Sequence, residues 1–497
     1  MNIFYNYICL LFIFSFLRLS ESANFLVYCP LFAHSHHKFL ANIAETLTLA
    51  GHNVTFLAPI IARKYENVKY LEHTKDVIYV QPDEELEKLG DRMDSADFSR
   101  FWTEEPGVFA MAPMLNLFSK MFHKVYENFK KDLTVLDALK DRKFDALFYE
   151  VIAFNAVGPL LPFDDQMAFS ERLANTIFDF STRFFIKPPT IMSYNYPYDV
   201  IDIEEAESRA SFVFLNSNPY LDFPRPLLAK TVLIGGISVN TTQINQEKLP
   251  EYFQNVLSKQ SKNVLISFGS VMYSKDMPEQ YKNTIVRVIE SFPNVTFIWK
   301  YETDDVSFAG NLENLHFSKW VPQTALLADS RLSAFITHAG LGSVNELSYS
   351  GKPAILIPIF ADQARNAKML ARHNGSILLD KNDLGNFEML RDAVKAITEN
   401  EKYPIHSEIL RRQLLQQPIP PRDLLVKHAI FGAEFGELPS LNPYSRKMSF
   451  HAFFMIDIFL FLTAILLLFI VSLVFLLKAI IRKRITIIFR GKKQKTN

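Results

Sequence analysis

Between Trp320 and Gln363 the chain reads WVPQTALLADSRLSAFITHAGLGSVNELSYSGKPAILIPIFADQ. The residues there that can do chemistry are Trp320, Gln323, His338, Gly340, Gly342, Ser343, Glu346, Asp362 and Gln363. The stretch offers an aromatic face and several side chains that can bind hydroxyls. A carboxylate accepts two hydrogen bonds from adjacent ribose hydroxyls. Small residues at a helix start let unpaired backbone N–H groups approach an anion that the helix dipole already favours. Taken singly, each residue has a plain structural account: Trp as core, Glu as a solvated helix face, His as a cap. Taken together at these spacings they suit a nucleotide-sugar. A nicotinamide dinucleotide is disfavoured, because Asn345 stands where the third glycine of that fingerprint would be.

The elements that must hold these residues follow from local pattern. Leu332 to Thr337 is a short apolar, β-branched run, and His338 to Ser343 is a Gly-rich turn. Helical spacing then takes over from Val344 to Tyr349, and Ala354 to Ile359 is a further apolar run. Upstream, Val264 to Phe268 and Val295 to Trp299 predict strands around a helix over Glu279 to Ser291. The N-terminal half opens the same way, with strands over Phe25 to Pro30 and Val54 to Leu57 around a helix from His37 to Ala50. Alternating β and α units predict an α/β protein with doubly wound parallel sheets that bind ligand at the strand C-termini. The chain is too long for one core, so two domains are expected, 24–236 and 263–449. The polar stretch 237–262, without sustained period, is the expected linker.

The stretch from Trp320 to Gln363 closely resembles the signature of the UDP-glycosyltransferases, the membrane-bound animal family that conjugates small lipophilic molecules. The resemblance implies two Rossmann-like domains facing a cleft, in the glycosyltransferase-B arrangement. It implies that Trp320 stacks on uracil, Gln323 bonds the base, His338 touches the phosphates, Glu346 holds the ribose, and Asp362 with Gln363 holds the sugar. Ser270, His338 and the amides from Gly340 through Gly342 to Ser343 are then expected to receive the departing UDP. The family's general base falls on His36, in the segment Phe32-Ala33-His34-Ser35-His36-His37-Lys38-Phe39. An imidazole suits the task, because a hydroxyl is a poor nucleophile at neutral pH unless its proton is taken as it attacks. The family's supporting Asp is replaced by Glu150 at the end of Phe144-Asp145-Ala146-Leu147-Phe148-Tyr149-Glu150. A carboxylate there would hold the ring's tautomer and stabilise the imidazolium.

The function implied is inverting, metal-independent transfer of a hexose or hexuronic acid from a UDP-sugar to a hydroxyl of a small lipophilic acceptor. The UDP-sugar is a co-substrate, and no cofactor is implied. Three His within four residues also suit zinc, but neither H-E-x-x-H nor a Cys pair accompanies them, so no metal site is expected. Only 14 residues separate Glu150 from Asp165, too few for the further βαβ crossover of the family. Either a segment near 151–165 is missing from the gene model or the acceptor domain is abridged. In the latter case the alternative is a non-catalytic UDP-sugar-binding membrane subunit, and association with itself or with related transferases is compatible with either.

The chain ends set the compartment. An apolar run from Tyr7 to Leu17 with small residues up to Ala23 reads as a signal peptide over 1–23. A transmembrane helix is expected within 450–477, because Ile458 to Leu477 carries no charge over a bilayer's length. The tail 478–497 has eight Lys or Arg and no acidic residue, which points it to the cytosol and the N-terminal body to the lumen. Lys493 and Lys495 resemble a dilysine retrieval signal of the endoplasmic reticulum, and a basic stop-transfer tail fits equally. Lys plus Arg and Asp plus Glu balance at 53 each, so no nucleic-acid partner is expected. Once the signal with Cys9 is removed, Cys29 is left without a disulfide partner. Of the sequons at Asn53, Asn240, Asn294 and Asn374, Asn240 is the expected glycan site, and burial at strand starts is expected to protect Asn53 and Asn294.

Overall fold

The computed structural model describes residues 22–66, 70–94, 98–104, 108–150, 167–184, 209–239 and 248–493. The hydrophobic run of the signal peptide, the short segment 151–165, Asn240 and Lys495 lie outside them. The chain divides into two compact units: residues up to Leu227 with Thr231–Glu437, and Leu228–Lys230 with Leu438–Asn497.

The larger unit holds two parallel sheets that build one cleft. Its N-terminal part runs β1 (Asn24–Tyr28), α1 (His34–Leu49), β2 (Asn53–Pro59), β3 (Asp76–Val80), α2 (Glu84–Asp94), α3 (Val108–Lys131), α4 (Leu133–Lys140), β4 (Ala146–Tyr149) and α5 (Phe169–Phe184). The four strands pair in the order β3-β2-β1-β4, all parallel. A small parallel pair follows, β5 (Val213–Leu215) with β6 (Thr231–Leu233). The chain order therefore reverses between β1 and β4, the position at which an open α/β sheet leaves a crevice.

The C-terminal part runs α6 (Glu251–Leu257), β7 (Lys262–Ser267), α7 (Glu279–Glu290), β8 (Val295–Lys300), β9 (Leu315–Ser318), α8 (Gln323–Ala328), β10 (Leu332–Thr337), α9 (Leu341–Ser350), β11 (Ala354–Leu356), α10 (Gln363–Ala371), β12 (Ser376–Leu378), α11 (Phe387–Glu399), α12 (Lys402–Leu415) and α13 (Pro421–Phe435). Six strands pair in the order β12-β11-β10-β7-β8-β9, again parallel, with the reversal between β7 and β10. Successive residues of β7 serve opposite faces: Val264 and Ile266 join one buried cluster, Leu265 the other. Both faces are thus covered, which is why these strands are continuous apolar runs rather than alternating ones.

Two long-range insertions tie the sheets together. Helix α13 returns to the N-terminal sheet, where Leu425 and Ala429 are buried with Phe25, Val27 and Leu40. In the other direction, Phe101 and Trp102, from the short turn Ser99–Trp102 after α2, are buried in the core of the six-stranded sheet. Phe101 stacks on Phe360 at 4.9 Å, and Trp102 meets Phe268 edge-on at 5.1 Å. Lys381 holds the turn by donating to the carbonyls of Phe101, at 2.9 Å, and Glu104.

Three local expectations change. Helix α1 begins at His34, not His37, because Ala33 is extended and the chain turns helical directly after it. The stretch read as linker contains α6, whose Phe253, Val256 and Leu257 are buried. Seven residues show too little period to be read as a helix. Asn53 and Asn294 are exposed rather than buried, since Asn53 is the first residue of β2 and Asn294 lies in the turn just before β8.

The smaller unit carries α14 (Phe450–Phe453) and α15 (Ile456–Lys493), separated by a break at Met455, where φ is 54°. Within α15, Ile456–Arg484 is long and apolar enough to cross a membrane, by length and composition.

Candidate active site

The C-termini of both sheets open onto a cleft of about 1420 Å³. At its N-terminal wall, His36 lies in the first turn of α1, after β1, and Glu150 directly follows β4. His36 Nδ1 and Glu150 Oε1 are 2.8 Å apart. Burial lowers the His36 pKa, but the Glu150 hydrogen bond and charge, with the charge of Asp362 across the cleft, outweigh it, and the net shift is upward. The three His of this segment diverge. His34 is bonded to the Tyr70 hydroxyl, and His37 is buried, with its pKa lowered to about 4 by burial and by His34. They do not converge on a metal-like centre.

At the opposite wall, the loop after β7 brings Gly269 and Ser270 against the turn after β10. His338 is pressed between two glycines: a Cβ on Gly269 would lie 2.6 Å from its ring, and one on Gly340 2.8 Å. Gly269 also has φ +88°. Burial, with Lys300 nearby, lowers the His338 pKa to about 4, so the ring is neutral at physiological pH. Ala339 and Ala361 adopt φ of 61° and 57°, so the turns after β10 and β11 each hold a non-glycine residue in the left-handed region. Helix α9 starts at Leu341 with Gly340 as its cap and no side-chain cap, and a Cβ on Gly342 would meet nothing within 4 Å. The N–H groups of Leu341, Gly342 and Ser343, all residues that line the cleft, precede the first helical bond and so have no intrahelical partner.

The remaining sequence-read residues gather on the same wall. Trp320 is 64% exposed, an open indole face in the cleft. Gln323 Nε2 donates to Glu346 Oε2 at 2.7 Å and to Ser343 Oγ at 3.1 Å. Asp362 precedes α10 at its N-cap position without a side-chain capping bond, and its Oδ2 accepts from Asn366 Nδ2 at 2.7 Å. Gln363 is placed differently from an open ligand contact. It is buried, and its Oε1 accepts the Ile359 and Phe360 N–H groups at 2.9 and 3.1 Å, which holds the turn through Ala361.

Among the residues that the sequence reading passed over, Lys38, Thr324 and Lys300 also reach the cleft. Lys300 ends β8 beside β7 and pairs with Glu302 at 2.8 Å. A cation at a parallel strand's C-terminal end is a signal legible in sequence. Lys38, inside a helix of the other half, offers none.

The family model described as UDP-glucoronosyl and UDP-glucosyl transferase matches residues 158–494, which include the whole donor wall. The chain belongs to that family. Among UDP-glycosyltransferase relatives, a Caenorhabditis elegans protein named as UDP-glucuronosyltransferase ugt-55 is 28% identical over 419 residues, covering 77% of this chain and 81% of the relative. Human UDP-glucuronosyltransferase 1A6 is 25% identical over 479 residues, 87% of each chain. The solved structure of a UDP-glucosyltransferase from Polygonum tinctorium, which glucosylates indoxyl, shares the fold at a TM-score of 0.56 and 14% identity, with 83% of this chain and 99% of that one covered. The glycosyltransferase-B architecture and the expected family thus hold, and this UDP-glycosyltransferase moves a sugar from a UDP-sugar to an acceptor. These relationships do not favour a non-catalytic subunit.

Proposed function

We propose that this UDP-glycosyltransferase transfers a hexose or hexuronic acid to a hydroxyl of a small lipophilic acceptor, with inversion and without a metal ion or other cofactor. The observation that carries this reading is the His36–Glu150 pair, 2.8 Å apart, on the wall opposite the neutral His338 and the start of α9. With Nδ1 committed to Glu150, His36 Nε2 is left to take the acceptor proton. The acceptor oxygen attacks the anomeric carbon as the sugar–phosphate bond breaks, and UDP leaves with the electron pair. Ser270, His338 and the amides from Gly340 to Ser343 receive the developing charge. The proton stays on His36 as an imidazolium paired with Glu150.

On the donor wall, Trp320 stacks on uracil, Gln323 bonds its edge, Glu346 accepts the ribose hydroxyls, and Asp362 holds the sugar, with Gln363 able to join it only through Nε2 because its Oε1 is taken by the Ile359 and Phe360 amides. The cleft volume supports two substrates at once, since a single ligand pocket is commonly about 300–1,000 Å³. Retention would need a nucleophile at the anomeric carbon, and Glu150 is engaged by His36. The separate partners of His34 and His36 support metal independence. The uncharged run Ile458 to Leu477 and the basic tail support a single-pass anchor in the endoplasmic reticulum membrane with the cleft in the lumen. Association with itself or with related transferases is part of the same proposal.

The test is UDP release by the full-length protein in microsomes, with a panel of phenolic acceptors and α-linked UDP-glucose or UDP-glucuronic acid. A β-glycoside product by nuclear magnetic resonance, formed equally with and without EDTA, is expected. An α-glycoside overturns inversion, and loss of turnover in EDTA overturns metal independence.

A further inference from the structure

Two residues beyond His36 on α1, Lys38 reaches across the cleft to the donor wall. Its Nζ lies 2.8 Å from Glu346 Oε1, joining positions 308 apart in the chain. The lysine side chain is 32% exposed and the glutamate 10%. Glu346 has two other donors: Thr324 Oγ1 reaches Oε1 at 3.1 Å and Gln323 Nε2 reaches Oε2 at 2.7 Å. A carboxylate offers about four acceptor positions. Three are taken here, and a ribose diol bound through both hydroxyls needs two. One of the three donors must therefore leave when the nucleotide arrives.

The three are not equally held. Gln323 and Thr324 open α8 on the same wall as Glu346, and Gln323 is anchored by its second bond to Ser343. Lys38 comes from the opposite wall on a flexible four-carbon arm whose ammonium is strongly hydrated once released. We propose that Lys38 is a cross-cleft latch on Glu346, displaced by the ribose of the incoming nucleotide. Donor binding then releases the helix that carries His36 from the donor wall. This rests on Glu346 being the ribose acceptor.

Titration calorimetry of the full-length protein in detergent micelles, with UDP as the probe, tests the latch. Lys38→Met and Lys38→Gln should bind UDP about two- to fivefold tighter, the fold-change expected on losing a competing ion pair worth up to about 1 kcal/mol. Lys38→Arg, which keeps the pair, should bind like wild type. Weaker binding in both neutral variants would make Lys38 a contact with the diphosphate, and unchanged binding would make the pair idle; either overturns the latch. Glu346→Ala separates this from the reading beneath it. If that variant binds UDP as wild type does, the ribose assignment and the latch fall together. If it binds more weakly while Lys38→Met is unchanged, only the latch falls.

Discussion

His36 and Glu150 stand 114 residues apart in sequence and 2.8 Å apart in space, because β1 and β4 are neighbours in the sheet and each residue follows the C-terminal end of its strand. His36→Ala should therefore lower glycosyl transfer by about 100- to 10,000-fold, the range for loss of a general base. UDP-sugar affinity should stay near wild type, since the donor contacts lie on the other wall. UDP release and UDP-sugar binding, measured on one preparation, check this. Retained turnover would move the base role to another residue.

The pH profile should report the same pair. The base must be neutral, so kcat/KM rises with pH through the His36 pKa, which the Glu150 contact helps hold up against burial. Glu150→Gln should shift that acid limb to lower pH and lower the plateau, as the imidazolium loses its counter-charge. Stability has the opposite sign: a His with a raised folded pKa contributes fully below its unfolded value of about 6.5 and less as pH climbs through the folded value. Denaturant midpoints of wild type against Glu150→Gln should accordingly differ most on the acid side and converge above the His36 pKa.

Trp320→Ala should weaken UDP binding by about 1 to 3 kcal/mol, the worth of one base stacked on an aromatic ring. Because the indole is exposed, global stability should hardly change. Calorimetry with UDP, alongside a thermal melt, separates the two. Unchanged affinity in the folded variant would leave Trp320 without a stacking role.

Gly340→Ala and Gly269→Ala should differ in a diagnostic way. Gly340 has an ordinary φ of −59°, so its Cβ disturbs chiefly the His338 ring, and donor turnover should fall with little loss of stability. Gly269 has φ +88°, so the same clash comes with backbone strain of more than about 1 kcal/mol. Thermal melts should show a larger drop for Gly269→Ala, and equal melts would remove the argument from φ.

Trp102→Ala should cost about 3 to 5 kcal/mol, as for other large aromatics emptied from a core. It should also reduce donor affinity, because Phe268, which the indole meets edge-on, leads into Gly269 and Ser270. Urea denaturation and UDP titration check both effects.

What the sequence determined alone is what chain neighbours decide. Strand, Gly-rich turn and helix around His338 lie within one short βα unit, so their period and the glycine positions are local properties, and β10 spans the residues expected, Leu332–Thr337. The α/β class follows from the same alternation, and the apolar helix from an uncharged run. Tertiary structure decided what depends on contacts between distant segments, for which no local period exists. It placed Glu150 on His36 and Lys38 on Glu346. It also buried Trp102 of one half within the core of the other. Gln363 shows the limit most plainly. Its place in the signature was visible in sequence, but whether its carboxamide oxygen faces a ligand or the Ile359 and Phe360 amides depends on how the turn through Ala361 folds back over it.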